Sequence, residues 1–246
     1  MEASTSMLDF WTPDADLVTL LGIGFLLGLR HALDTDHLAA VSTVLAERPS
    51  FLASGAVGLW WGTGHTLTLL LVGSIVLAWG LHIPAGFEVM AESGVGMLLI
   101  VLGGSLALKL YRERWHVHSH DHDGQPHVHL HSHRQQRDHR HRHWMTDAVR
   151  PLCIGMVHGL AGSAALMLMI LATTTTMAGG LVAILVFGVG SIIGMMVIGV
   201  TMSVPVIYSR SMSQRLFVGI QGCASLASVL VGVWMLAKLS PSILGH

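Results

Sequence analysis

The amino-acid sequence predicts an all-α, polytopic membrane protein: six transmembrane helices arranged as a 3+3 inverted repeat, with a disordered His-rich cytoplasmic loop between the halves. Three observations lead there. Hydrophobic residues make up 52% of the 246-residue chain and charged residues only 11%, with mean hydropathy +0.64, whereas a soluble domain carries about 25% charged residues. Six apolar stretches, 17–46, 51–81, 88–110, 147–172, 178–208 and 215–239, stand out, and each reaches the roughly 20 residues that cross a bilayer. The two halves also resemble each other at a nearly constant offset.

The tail 1–16, MEASTSMLDFWTPDAD, is acidic and lacks the basic n-region of a cleavable signal peptide. The first repeat, 17–110, holds the first three stretches. Several of the six are near 30 residues long, which calls for tilt or a break in the helix. None has the polar face that a helix on a soluble core would show. The loop 111–146 is polar and repetitive, a composition that disfavours a packed core. The second repeat spans 147–240. Cys153 and Cys223 both lie in apolar stretches and read as small packing residues, not as a disulfide or a metal pair.

The repeat shows in three places. GLRHALDTDHLAAV at 28–41 aligns with GMVHGLAGSAALML at 155–168, setting Gly28 on Gly155, His31 on His158 and Leu33 on Leu160. GTGHTL at 62–67 aligns with GVGSII at 188–193, and LGGSLALKL at 102–110 with VGVWMLAKL at 231–239. The offsets are 127, 126 and 129 residues. Three crossings per copy invert the second copy in the membrane, the plan of many secondary transporters, with the binding site near the midplane. The GxxxG pairs Gly24/Gly28, Gly58/Gly62, Gly155/Gly159 and Gly190/Gly194 fit close helix contact.

Charge sets the orientation. One set of loops holds Arg48, Lys109, Arg112, Arg114, Arg134, Arg137, Arg140, Arg142, Arg150, Arg210 and Arg215; the other set, with both tails, holds Lys238 alone. The positive-inside rule then puts 111–146 in the cytoplasm and both termini outside it, in a multi-pass protein of the cell membrane.

Residues 30–38, RHALDTDHL, place five ionisable groups inside the first apolar stretch. Such groups are costly in a bilayer and mark function. On an unbroken helix His31, Asp34 and His37 share a face, while Asp36 points away, toward Arg30 or another helix. Two imidazoles and a carboxylate suit a divalent transition metal better than Mg2+ or Ca2+. His65, in the second stretch, adds a further ligand, and His158 is a candidate from the fourth. A metal-free proton relay is the rival reading. The loop weighs against it, because eleven of the seventeen histidines lie there: His116, His118, His120, His122, His127, His129, His131, His133, His139, His141 and His143. Short His-rich tracts bind metal, and these fit weak, exchangeable buffering sites.

RHALDTDHL is very similar to the RHAxDADHI/L signature of the nickel/cobalt transporter family, and GTGHT resembles that family's glycine–histidine–serine/threonine motif in the following helix. The six-helix length and GMVHGLAGSAAL resemble the compact, urease-accessory-type branch of nickel permeases. By this resemblance His31, Asp36 and His37 fill an HxxxxDH pattern and His65 fills the second motif. Larger members have eight helices and a carboxylate-bearing motif in a later segment; that carboxylate is absent here. The resemblance implies a permease that takes up Ni2+ or Co2+ as its cargo and holds no resident cofactor. An exporter of the same metals, and a membrane sensor or delivery partner for nickel-enzyme maturation, are the alternatives. The expected partners are the metal ion, the lipid bilayer and cytoplasmic metallochaperones, with no nucleic acid. No nucleotide loop or nucleophile constellation points to an enzyme.

Overall fold

The computed structural model describes residues 13–47, 50–81, 84–112, 117–122, 125–130, 144–162 and 176–243. In chain order these form α1 (Pro13–His31), α2 (Thr35–Ala46), α3 (Phe51–Trp79), α4 (Ala85–Arg112), β1 (Val117–His122), β2 (Gln125–Leu130), α5 (Trp144–Ala161), α6 (Met177–Met212) and α7 (Gln214–Ile243). Four helices are long and apolar enough to cross a membrane: Phe51–Trp79, Gly86–Arg112, Met177–Met212 and Gln214–Leu239. They match four of the six apolar stretches to within a few residues.

The other two stretches are not continuous spans among the described residues. The first is two helices, broken at 32–34. Asp34 takes an extended conformation (φ −61°, ψ 146°) at the N-cap of α2. Aspartate and threonine compete with the helical backbone and favour such positions, so DTD starts a new helix where the apolar run alone predicts one. In the fourth stretch α5 ends at Ala161, and 163–175 lie outside the described residues. Other boundaries follow ordinary capping chemistry. Gly80 ends α3 at φ +60°, a left-handed position that glycine adopts without strain. The Thr176 hydroxyl accepts the Gly179 N–H at 3.2 Å to open α6.

The described part of the loop departs from its expected disorder. Val117–His122 and Gln125–Leu130 pair as an antiparallel hairpin, with His118 opposite His129 and His120 opposite His127. Composition argues for disorder, but the alternation of histidine with other residues has the period of a strand. His116, His131, His133, His139, His141 and His143 lie outside the described residues.

Helices of one half pack on helices of the other: α1 on α6, α5 on α3, α3 on α6 and α4 on α7. The contacts recur in pairs. A Cβ at Gly28 would overlap the Phe187 carbonyl, and one at Gly155 would overlap the Trp61 carbonyl. Gly190 meets the Phe25 carbonyl as Gly64 meets that of Leu152. A Cβ at Gly103 would lie 2.6 Å from the Ser225 oxygen, and one at Gly232 2.5 Å from the Gly96 oxygen. Each contact maps onto its mate under the offsets of 126, 127 and 129 residues. Gly24 has nothing within 4 Å, so only Gly28 of that GxxxG pair is a contact residue. Ser225 and Ser228 hydroxyls donate to the Gly103 and Leu99 carbonyls at 2.8 and 2.9 Å, binding α7 to α4. Cys153 and Cys223 are free and exposed on the outside of the bundle, not packed within it as expected.

Glu47, just after α2, ties three helix ends together. Arg150 Nη1 donates to its Oε2 at 2.7 Å and Lys109 Nζ to its Oε1 at 3.4 Å. Partial burial alone would raise the Glu47 pKa; Arg150 and Lys109 outweigh it and hold the carboxyl below its ordinary value of 4.5. A lowered carboxylate pKa adds stability above the ordinary value and loses it as pH falls through the lowered one. The cations are 40% and 47% exposed, so screening limits the gain to about 1 kcal/mol. Glu47→Gln is expected to melt a few degrees below wild type at neutral pH in detergent, with the gap closing in acid. Equal melting at neutral pH would show that the cluster contributes nothing.

Candidate metal centre

The break in the first stretch builds the site. α1 ends at His31 and α2 begins at Thr35, so the negative end of one helix dipole and the positive end of another meet there. The turn is closed by backbone bonds from Leu33 N–H to the Arg30 carbonyl (2.9 Å) and from Asp34 N–H to the His31 carbonyl (3.0 Å). His65 comes in from α3 and His158 from α5. The imidazole centroids lie close together: His31–His37 4.8 Å, His31–His65 5.0 Å, His37–His65 5.6 Å and His37–His158 5.1 Å.

Each carboxylate holds a ring. Asp34 Oδ2 lies 2.7 Å from His31 Nδ1, and Asp36 Oδ1 lies 3.2 Å from His37 Nδ1. An ionised carboxylate only accepts, so both Nδ1 atoms carry a proton, and in the neutral rings both Nε2 atoms hold lone pairs. The Ile154 carbonyl does the same for His158, accepting from Nδ1 at 2.9 Å. Nε2 of His31, His37 and His158, and both nitrogens of His65, are buried without a hydrogen-bond partner among the described residues. A buried polar atom left unpaired costs about 1–3 kcal/mol. Those of His31, His37 and His65 converge on one spot and fit a bound cation as their common partner.

His31, His37 and His65 each offer a ligand atom within 4.8 Å of the others. Asp34, Asp36 and His37 form a second group under the same limit, but these carboxylates are engaged by imidazole N–H groups and Asp34 is exposed. Carboxylate–histidine–metal arrangements of this kind fix the tautomer and raise ligand basicity. Two carboxylates also balance the charge of one divalent ion in a poorly solvated interior.

The structure brings His31, His37 and His65 together as expected and sets His158 beside His37. It corrects the placing of Asp34 and, for Asp36, selects the pairing with another helix over that with Arg30. The chain turns at 32–34, so His31, Asp34 and His37 do not line one continuous helical face; Asp34 faces outward, 54% exposed, while holding His31. Asp36 faces inward between His37 and His158, 4.0 Å from the latter, and not toward Arg30. Trp61, Phe187 and Gly162 are lining residues absent from the sequence-based set. Trp61 lies against His158 at 5.0 Å and Phe187 against His31 at 5.5 Å. A Cβ at Gly162 would lie 3.6 Å from His31 Nε2. The repeat alignment sets Phe187 on Trp61 and His158 on His31, a signal that finds the aromatic pair once the histidines are known.

The chain is similar to the urease accessory protein UreH of Bacillus sp. (strain TB-90), 35% identical over 190 residues that cover 77% of this chain and 78% of that protein. It also resembles the hydrogenase nickel incorporation protein HupN of Bradyrhizobium diazoefficiens, 27% identical over 103 residues, 38% of this chain and 26% of that one. No family profile and no solved structure matches the chain.

Proposed function

Because the chain belongs to the UreH-like branch of the nickel/cobalt transporter family, we propose that it carries Ni2+, with Co2+ as a second cargo, into the cell by alternating access. The observation that carries this reading is the convergence of His31, His37 and His65 at a helix break, their unpartnered nitrogens turned toward one another. Imidazole selects late first-row metals over Mg2+ and Ca2+, and geometry must then select among those metals. His31, His37 and His65 hold the ion, while Asp34 and Asp36 orient their rings. The names of the two relatives, a urease accessory protein and a hydrogenase nickel incorporation protein, support nickel as the cargo.

The architecture proposed is six spans in two inverted repeats of three. The paired contacts Gly28–Phe187 with Gly155–Trp61, and Gly103–Ser225 with Gly232–Gly96, support it, since a two-fold exchange of the halves generates such reciprocity. Rocking of one repeat on the other would open the triad to either side. Two positive charges moving down about 100 mV gain about 4.6 kcal/mol, enough to drive uptake. The His-rich loop serves as a cytoplasmic metal buffer from which metallochaperones draw.

Uptake is tested by cellular nickel accumulation: expression should raise it, and a fall would make the protein an exporter. The orientation predicts that a tag inserted near Gly124 is reached by impermeant reagents only after the cells are opened. Labelling of intact cells would invert the topology.

A further inference from the structure

The triad leaves one buried imidazole unused. The His158 Nε2 atom carries a lone pair in the neutral ring, has no hydrogen-bond partner among the described residues, and faces Asp36 Oδ2 at 4.0 Å. That distance is too long for a hydrogen bond. A divalent transition metal spans it, because metal–nitrogen and metal–carboxylate bonds are each about 2.0–2.2 Å long. Both side chains are prepared for this: the Ile154 carbonyl fixes the His158 tautomer, and His37 holds the other oxygen of Asp36.

The depth of the pair is as informative as its chemistry. On α3, His65 faces His31, whereas Trp61 faces His158. Trp61 lies four residues nearer the Phe51 end, about 6 Å along the axis. At that end Glu47 gathers Lys109 and Arg150. The Asp36–His158 pair therefore adjoins the triad on its His37 side, 5.1 Å from that ring to the His158 ring, and is displaced from His65 toward Trp61 and the basic end, the end read as cytoplasmic.

We propose that Asp36 and His158 form a second ion position, which takes the divalent transition-metal cation from the imidazole triad on its way to the cytoplasmic side. This rests on the triad reading above. Asp36 links the positions, since its Oδ1 holds a triad ring and its Oδ2 faces His158. Two dications so close repel strongly, so the positions fill in turn. The second repeat, which lacks counterparts of Asp36 and His37, thereby supplies one essential ligand.

The test is equilibrium binding of radioactive Ni2+ to the full purified chain, together with flux in liposomes. The variants are His158→Ala, His158→Gln, His65→Ala and the double variant His65→Ala/His158→Ala. His158→Ala and His158→Gln are expected to keep affinity within a few-fold of wild type while flux falls by roughly tenfold or more, on the scale of losses at metal sites. His65→Ala should bind weakly at a residual position that the double variant loses. A drop in affinity for His158→Ala equal to that for His65→Ala would mean a single site. Normal flux in His158→Gln would reduce the ring to packing. Residual binding that is absent from His65→Ala, or that survives in the double variant, would also overturn the second position. Wild-type protein that binds no Ni2+ would overturn the triad reading and this inference with it, a result distinct from all the others.

Discussion

His31→Ala and His37→Ala are each expected to lower Ni2+ flux by roughly a hundredfold or more, at wild-type abundance in the membrane. Even outer partners of a metal ligand are worth about 10–100-fold, and these substitutions remove a proposed ligand itself. They also leave Asp34 or Asp36 without the imidazole N–H that now faces it at 2.7 or 3.2 Å. Removing a polar group does not hinder insertion, so abundance should hold. Deletion of 116–143 is the contrasting case. It removes all eleven loop histidines and none of the buried ones, so flux should stay measurable while the intracellular fate of the metal changes. If the deletion abolished flux and the two alanine variants transported normally, the essential binding step would lie in the loop.

How far the sequence reaches is clear from the same residues. His31, His37 and His65 were accessible because ionisable groups inside apolar stretches have few bland explanations. The shared face of His31, Asp34 and His37 fails because a rotation of 100° per residue holds only while the helix continues, and Asp34 starts a new one; Asp36 meets another helix, one of its two expected partners. Trp61 and Phe187 look like any apolar residue in a membrane helix until their neighbours across the bundle are known. The Ile154 carbonyl, which sets the His158 tautomer, leaves no trace in side-chain identity. The limits of the four long spans were legible for the opposite reason, since length and hydropathy are local properties.

The largest structural effect is expected at the glycine contacts. A Cβ at Gly155 would overlap the Trp61 carbonyl, and one at Gly28 the Phe187 carbonyl. Backbone atoms cannot swing aside, so α5 must separate from α3, or α1 from α6. Overpacking of this kind costs about 1–3 kcal/mol and occasionally more, and a clash with backbone lies at the upper end. Gly28→Ala and Gly155→Ala should therefore each lower the melting temperature sharply and reduce monodisperse yield, and by similar amounts if the halves are related by a two-fold. Gly22→Ala and Gly104→Ala are the controls, because nothing lies within 4 Å of a Cβ at either position. Alanine is the better helix former by about 1 kcal/mol, so these two should be neutral or slightly stabilising. Four equal melting temperatures would mean that the helices are not in the contact described.

The central claim is that one chain moves the metal through the histidine cluster unaided. It is tested most directly with purified protein in liposomes, an interior-negative potential and radioactive Ni2+ outside. Wild-type protein should give saturable accumulation that competing Co2+ reduces and Mg2+ does not, and His65→Ala should fall to the level of empty liposomes. Wild-type flux no greater than that of empty liposomes, with Ni2+ binding intact, would make the protein a metal-binding sensor or delivery partner and not a carrier.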